Sequence, residues 1–223
     1  MIQLENCDNM ELMKRYPDKY FDLAIVDPPY GIGAGSKKFK NGTSKNKTIG
    51  FKDIDWDDSI PSKEYFIELQ RISKNQIIWG GNYFCNLLNN SQCWLFWDKG
   101  TGDNSYADGE LAWTSFNGSI RKYFKSWVGA NAKNETDRIH PTEKPVALYK
   151  WLLDKYAKQG DKILDTHLGS MSIAIACADY GFDLVGCELD EEYFNKGVER
   201  VKNHLSQMDL FKEIPELICH AKK

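Results

Sequence analysis

The run FDLAIVDPPY, residues 21–30, constrains what this chain can fold into more than any other stretch. Its apolar part, FDLAIVD over 21–27, reads as a buried strand, and it runs straight into two consecutive prolines. Each proline lacks a backbone N–H, so an interior strand cannot continue through Pro28 and Pro29. A proline also drives the residue before it into extended geometry, which holds Asp27 and Pro28 extended. Beyond the strand lies an arm that offers only acceptors, the Asp27 carboxylate and the Pro28 carbonyl, and then the flat ring of Tyr30. The ordinary use of such prolines is a turn. The sharper reading is a clamp for a planar amine, because an exocyclic nucleobase amine presents two N–H donors and a π-face.

The rest of the chain alternates short apolar runs with helical patterns, as βα units on a largely parallel sheet do. The spacing predicts a helix over 61–74, opened by Pro61, with Tyr65, Phe66, Leu69 and Ile72 on one face. It predicts strands over 76–84, 93–98, 110–116 and 120–127, with the last two joined as a hairpin at Asn117-Gly118. A helix follows over 144–160, then a strand–turn–helix over 161–181 and a buried strand over 182–190. The final helix, from Glu191, puts Phe194, Val198, Val201 and Leu205 on one face. No repeat and no inter-domain linker interrupts this order, and 223 residues suit one large α/β domain.

Composition excludes several classes. No apolar run reaches the roughly 18 residues a membrane span needs, and the opening MIQLENCDNM has no secretory pattern. The six cysteines are scattered, as expected for thiols in a reducing cytoplasm, and the four histidines are dispersed, so no metal site is expected. The net charge of −3 hides an asymmetry: Lys37, Lys38, Lys40, Lys45, Lys47 and Lys52 fall in a stretch with no acidic residue. Setting those six charges aside leaves −9 on the remainder. A solvated loop is the plain account of that stretch, but it begins directly after Tyr30 and would bring positive charge beside the clamp.

A second motif, ILDTHLGSMS over 163–172, ends a strand at Asp165, turns at Gly169 and enters a helix at Ser172. Ligands of open α/β sheets bind at such carboxyl ends. Glu188 ends the next strand 19 residues after Gly169, where a carboxylate can accept both hydroxyls of a ribose. The turn is not G-x-G-x-x-G, so a pyrophosphate has no easy approach to the backbone. A ribose-bearing cofactor without phosphates fits better, and S-adenosylmethionine is the common one.

Taken together, these motifs resemble the amino-methyltransferases of DNA, in particular a permuted group in which D-P-P-Y precedes the cofactor motif. The resemblance rests on four elements in order: residues 5–30 up to DPPY, HPTEKPVAL over 140–148, ILDTHLGSMS, and GCELDEEYF over 186–194. It implies a Rossmann-like methyltransferase fold with a mostly parallel seven-stranded sheet, helices on both faces and a circularly permuted motif order. It implies one domain over 1–223, with a basic loop at 31–60 and a small target-recognition insertion at 91–139. Asp27, Pro28, Pro29 and Tyr30 take the catalytic role by this likeness. Asp8, His140, Thr142, Lys144, Asp165, His167, Gly169, Ser170 and Glu188 take the binding of S-adenosyl-L-methionine. His167 stands where the family has phenylalanine, and Met171 stands at its second glycine, where a methionine would take room beside the cofactor.

The implied activity is methyl transfer to the N6 amine of an adenine flipped out of DNA, by a cytoplasmic enzyme of prokaryotic or phage origin. The implied partners are DNA, with a second copy of the chain and a cognate restriction endonuclease as further candidates, and no membrane or metal. The rival readings are methylation of cytosine N4 or of an RNA base, a nucleic-acid-binding homologue without catalysis, and a nicotinamide oxidoreductase, which the missing glycines disfavour. Replacing Lys37, Lys38, Lys40, Lys45 and Lys47 by glutamine is expected to weaken DNA binding. It should also flatten the plot of log affinity against log salt, by about 0.9 for each phosphate no longer neutralised. An unchanged slope in a salt titration removes this loop from the DNA interface.

Overall fold

The computed structural model describes residues 1–33, 57–101, 107–126, 139–140, 142–207 and 214–221. The five loop lysines named as DNA contacts therefore lie outside the described residues, as does Pro141. The described strands are β1 (Ile2–Asn6), β2 (Phe21–Val26), β3 (Ser73–Trp79), β4 (Trp94–Asp98), β5 (Gly109–Thr114), β6 (Arg121–Phe124), β7 (Lys162–Asp165), β8 (Asp183–Glu188) and β9 (Leu217–His220). The helices are α1 (Asn9–Met13), α2 (Lys63–Ile72), α3 (Val146–Tyr156), α4 (Ser172–Tyr180) and α5 (Glu191–Ser206).

These strands form one sheet in the order β6-β4-β5-β3-β2-β7-β8-β1-β9. Among the described strands only β5 runs against its neighbours, pairing antiparallel with β3 and β4. β2 sits at the centre between β3 and β7, and it stops at Val26, immediately before the Asp27-Pro28-Pro29 arm. Alternate residues of the central strands face opposite ways: Leu23, Ile25, Ile77 and Trp79 pack into a core with α3, α4 and α5 residues such as Leu152, Ile173 and Val201. Ala24, Val26 and Ile78 pack against Leu12, Phe66 and Leu69 of α1 and α2. Both faces are thus covered, which is why these strands read as continuous apolar runs.

Strand connections reverse direction between β2 and β7: β2 leads outward to β3 on one side and β7 to β8 on the other. In an open α/β sheet the crevice at this switch point, outside the carboxyl ends of the strands, is where ligands bind. Asp27 follows β2 there, Asp165 ends β7 and Glu188 ends β8.

The architecture agrees with the α/β expectation, and several details differ. The sheet has nine described strands rather than seven. β1 alternates Ile2 and Leu4 with Gln3 and Glu5, too weak a pattern to read as a strand until β8 and β9 pair on its two edges. The hairpin expected at Asn117-Gly118 does not form. β4 already occupies the free edge of β5, so the chain passes Cys93 at Gly118 and β6 pairs parallel with the outer edge of β4. β4, β5 and β6, all within 91–139, therefore extend the main sheet.

The run expected as one strand over 76–84 stops at Trp79, and Gly81–Tyr83 form a 3-10 turn. The helix expected over 61–74 ends at Ile72, because Ser73 turns extended and starts β3 with no loop between, its hydroxyl donating to the Leu69 carbonyl. α3 spans 146–156 with Pro145 as its N-cap. Among the described residues no helix is long and apolar enough to cross a membrane, and no group of three or more His, Cys, Asp or Glu could hold a metal ion.

Met171 also departs from expectation. It caps α4 in the left-handed region at φ +58, but its side chain is fully buried rather than beside the turn's ligand face. It lies on α5, where a Cβ added to Gly197 would come within 2.7 Å of the Met171 thioether. The space the methionine takes is therefore between α4 and α5. Gly197→Ala is expected to destabilise the fold by about 1–3 kcal/mol through overpacking. In denaturant unfolding, the Met171→Ala/Gly197→Ala double variant should lose less than the sum of the two single losses.

Candidate active site

The arm after β2 accounts for its backbone donors economically. Pro28 and Pro29 have none, and the next two N–H groups, of Tyr30 and Gly31, both donate to one oxygen of the buried Asp57, at 2.6 and 2.9 Å. The Tyr30 ring stacks on Tyr83 with centroids 5.0 Å apart and 16° between planes, and Phe84 meets it edge-on. Gly80, at φ +71, passes so close that a Cβ there would lie 2.2 Å from the Tyr30 ring. Any side chain at position 80 would displace the tyrosine, which explains the glycine.

Asp27 is held on both oxygens. Its Oδ1 accepts from the Tyr30 hydroxyl at 2.7 Å, and its Oδ2 accepts from Lys144 Nζ at 2.5 Å. The Lys144 side chain is 2% exposed, and the ammonium also donates to Glu110 Oε2 at 2.9 Å and to the Tyr30 hydroxyl oxygen at 3.2 Å. Its three hydrogens thus meet three acceptors. It sits 5.4 Å from the centre of the Trp79 ring and 5.6 Å from that of Tyr30. Glu110 in turn accepts from Lys99 at 2.5 Å. The result is a cluster of two carboxylates and two lysines in which Lys144 is buried and Asp27, Glu110 and Lys99 are half-buried.

Burial pushes the Asp27 carboxyl above the usual carboxylate range, with Glu110 adding to the rise and Lys144 opposing it. Burial would raise Glu110 as well, but Lys144 and Lys99 hold it at about 2. Burial works against the Lys144 ammonium, and the two carboxylates outweigh that and hold its pKa above the ordinary lysine value.

One strand over, the turn after β7 forms the second half of the site. Asp165 is buried and accepts the His167 N–H at 2.9 Å, and burial pushes its carboxyl up to about 8. Gly169 donates its N–H to Glu188 Oε2 at 2.8 Å, and Asp190 donates to Glu188 Oε1 at 2.9 Å. Each Glu188 oxygen keeps a further lone pair for a hydroxyl donor. Asn6 Nδ2 donates to the Glu188 and Leu189 carbonyls, and Asn6 Oδ1 is buried with no hydrogen-bond partner among the described residues.

His167 faces Asn9 at 3.1 Å through Nε2 and Thr166 at 3.0 Å through Nδ1. Burial lowers its pKa to about 4, so the imidazole is neutral at pH 7. Tyr65 of α2 reaches the same place, its hydroxyl 2.7 Å from that of Thr166. Asp8 is committed as the α1 cap, accepting from the Met10 and Glu11 N–H groups at 2.8 and 3.2 Å. His140 lies against Gly169 and packs edge-on to Tyr193, with Thr142 3.1 Å from its Nδ1. Ser170 pairs its hydroxyl with Ser172 at 3.1 Å.

The fold thus gathers Asp165, His167, Gly169, Ser170, Glu188, His140 and Thr142 around one turn, with Asp8 close by through its neighbour Asn9. It places Lys144 apart from them, on Asp27. Residues that no sequence motif singles out complete the site. Glu110 and Lys99 join the clamp, Asp57 pins its backbone, and Tyr83 backs Tyr30. Arg200 ties the 139–144 segment to the turn, donating to the Ser170 carbonyl at 2.7 Å and pairing with Glu143 at 3.0 Å. None of these carries a local signal; their partners are all remote in the chain.

The site is a switch-point crevice flanked on one side by an acceptor arm and a tyrosine and on the other by a carboxylate at a strand end. Known methyltransferases resemble the chain in sequence and in fold. Residues 96–199 match a family model described as DNA methylase. The chain is 25% identical to the Type II methyltransferase M.HpaI of Haemophilus parainfluenzae, over 93% of this chain and 76% of that protein. Among solved structures it shares its fold with the M1.HpyAVI–SAM complex, at TM-score 0.58 and 19% identity over 90% of this chain and 99% of that one. It shares it also with the cytosine-N4-specific PvuII DNA methyltransferase, at TM-score 0.57 and 11% identity over 95% and 88%. The chain is thus similar in sequence and in fold to DNA methyltransferases, one of them solved as a complex with SAM.

Lys144→Met leaves the half-buried Asp27 and Glu110 without their shared counter-charge and is expected to cost up to about 3–5 kcal/mol of stability. Adding Asp27→Asn should recover part of that loss in denaturant unfolding. Additive losses would show that the pair is not coupled.

Proposed function

We propose that this chain is a site-specific DNA methyltransferase that transfers a methyl group from S-adenosylmethionine to the N6 amine of a flipped-out adenine. One observation carries the reading: the acceptor arm Asp27-Pro28-Pro29-Tyr30 ends at the switch-point crevice, beside the Gly169 turn and Glu188. Glu188 would take the ribose hydroxyls, and the unpartnered Asn6 Oδ1 next to it offers one more acceptor. Asp165, His167, Gly169 and Ser170 would form the wall of that pocket, with Asp8, His140 and Thr142 at its rim. The buried Met171 leaves the turn clear. S-adenosylmethionine supplies a methyl group already activated on a sulfonium.

The amine of adenine is a poor nucleophile because its lone pair is delocalised into the ring. Asp27 and the Pro28 carbonyl would accept its two N–H groups and draw the nitrogen toward tetrahedral geometry. Lys144 and Tyr30 occupy one lone pair on each Asp27 oxygen, so one on each remains for the amine. The freed nitrogen lone pair would take up the methyl group, whose former bonding pair stays with the donor sulfur, and Asp27 would accept the surplus amine proton. Flipping the base costs a few kcal/mol, and stacking on the Tyr30 face opposite Tyr83 returns about 1–3 kcal/mol. Positioning in this crevice can lower the barrier by up to about 7–11 kcal/mol. The likeness of D-P-P-Y to adenine-specific enzymes favours adenine over cytosine. The Type II designation of M.HpaI supports a role beside a cognate restriction endonuclease in a bacterial cytoplasm.

Asp27→Ala is expected to abolish transfer of labelled methyl groups to unmethylated DNA while calorimetry still shows S-adenosylmethionine binding. Loss of binding in that variant, with transfer falling only in proportion, overturns the role given to Asp27. Nucleoside analysis of the wild-type product should show N6-methyladenine; N4-methylcytosine would transfer the same chemistry to the other base.

A further inference from the structure

Glu110 belongs to no motif, yet it lies half-buried in the polar cluster around the arm after β2. Its Oε2 is 2.9 Å from Lys144 Nζ and 3.1 Å from the Tyr30 hydroxyl, and its Oε1 is 2.5 Å from Lys99 Nζ. The Tyr30 hydroxyl has one hydrogen and faces two carboxylates, Asp27 at 2.7 Å and Glu110 at 3.1 Å. It can donate to only one of them, and the shorter distance assigns the hydrogen to Asp27. The remaining approach of the phenol oxygen to Glu110 is tolerable because Lys144 donates to both atoms. Lys144 therefore cannot turn wholly toward Asp27: Glu110 shares it, and Lys99 anchors Glu110 from the other side.

We propose that Glu110 is a positioning residue for methyl transfer, holding the Lys144 ammonium and the Tyr30 hydroxyl in a shared arrangement that keeps the Asp27 carboxylate oriented and electron-rich toward the substrate amine. The inference rests on the amine-methyltransferase reading and deepens it. With Glu110 ionised, the cluster of Asp27, Glu110, Lys144 and Lys99 is neutral. Without that charge, Lys144 pairs with Asp27 alone, draws its electron density, and frees the Tyr30 ring to tilt. The positive charge that grows on the amine nitrogen during transfer is then met by a weaker field.

The charged and titratable groups facing Asp27 are Tyr30 on its own arm, Lys144 ahead of α3, Glu110 on β5, and Asp165 at the end of β7. The phenols of Tyr65 on α2 and Tyr149 on α3 lie within its electrostatic reach. Glu110 raises the proton affinity of Asp27, so its removal lets Asp27 ionise at lower pH. This direction gives the test its specific signature.

The test compares wild type, Glu110→Gln and Glu110→Asp, in single-turnover transfer of labelled methyl groups to unmethylated DNA across pH 5–9, with calorimetric binding of S-adenosylmethionine alongside. Glu110→Gln should transfer about 10–100-fold more slowly, bind S-adenosylmethionine as wild type does, and shift the acidic limb of its rate profile to lower pH. Glu110→Asp keeps the charge and should leave that limb in place with a smaller loss of rate. A rate within twofold of wild type in Glu110→Gln overturns the proposal. So does a loss of rate with no shift of the acidic limb, or one matched by lost cofactor binding, since either marks a merely structural residue. If the wild-type chain moves no methyl group to DNA, the underlying reading fails first and the proposal falls with it.

Discussion

The ion pair between Asp27 and Lys144 joins the end of β2 to the segment that leads into α3, 117 residues further along the chain. A pair whose lysine is buried and whose aspartate is half-buried is costly to form and costlier to break, because either charge left alone has little solvent to answer it. Here the cost is met by completeness. The ammonium has three hydrogens and three acceptors, the carboxylate has both oxygens engaged, and Glu110 and Lys99 bring the cluster to neutrality. The arm that would grip a substrate amine is therefore stiff for two reasons, its prolines and the charges that surround its aspartate.

The sheet makes this arrangement possible. β2 and β7 lie side by side at the centre, and their helices depart to opposite faces, which opens a crevice at their carboxyl ends. Asp27 on one side and the Gly169–Glu188 turn on the other then face a common space. β5, antiparallel to both its neighbours, serves the site by its register: Glu110 pairs opposite Trp97, which brings it within reach of Lys99 just beyond the end of β4. A slip of one residue would turn Glu110 to the other face of the sheet.

Much of this is legible in the sequence where the cause is local. The stop at Pro28-Pro29 follows from missing donors, and the turn after Asp165 follows from one glycine and the helix behind it. Strand positions are less legible toward the ends of the sheet. β1 alternates apolar and polar residues over only five positions and β9 is four residues long, too short for either to stand out, and the Asn117-Gly118 pair resembles a hairpin turn although β4 already holds the place its second strand would need. Met171 looks like an intrusion into the ligand turn from its position in the sequence. Its side chain instead follows the left-handed backbone into the space left by Gly197.

The sequence by itself determined two local pieces of this protein, the acceptor arm and the strand–turn–helix with the acid that ends the next strand. Each depends on residues within one stretch of βα or βαβ, whose backbone preferences act whatever the rest of the chain does. The tertiary structure alone decided which charges meet Asp27. Lys144, which its motif marks as a cofactor contact, lies on the aspartate, and Glu110 and Lys99 lie around it. Those meetings depend on strand order and register, and the pairing energy that sets them is spread over the whole sheet and written in no single stretch of residues.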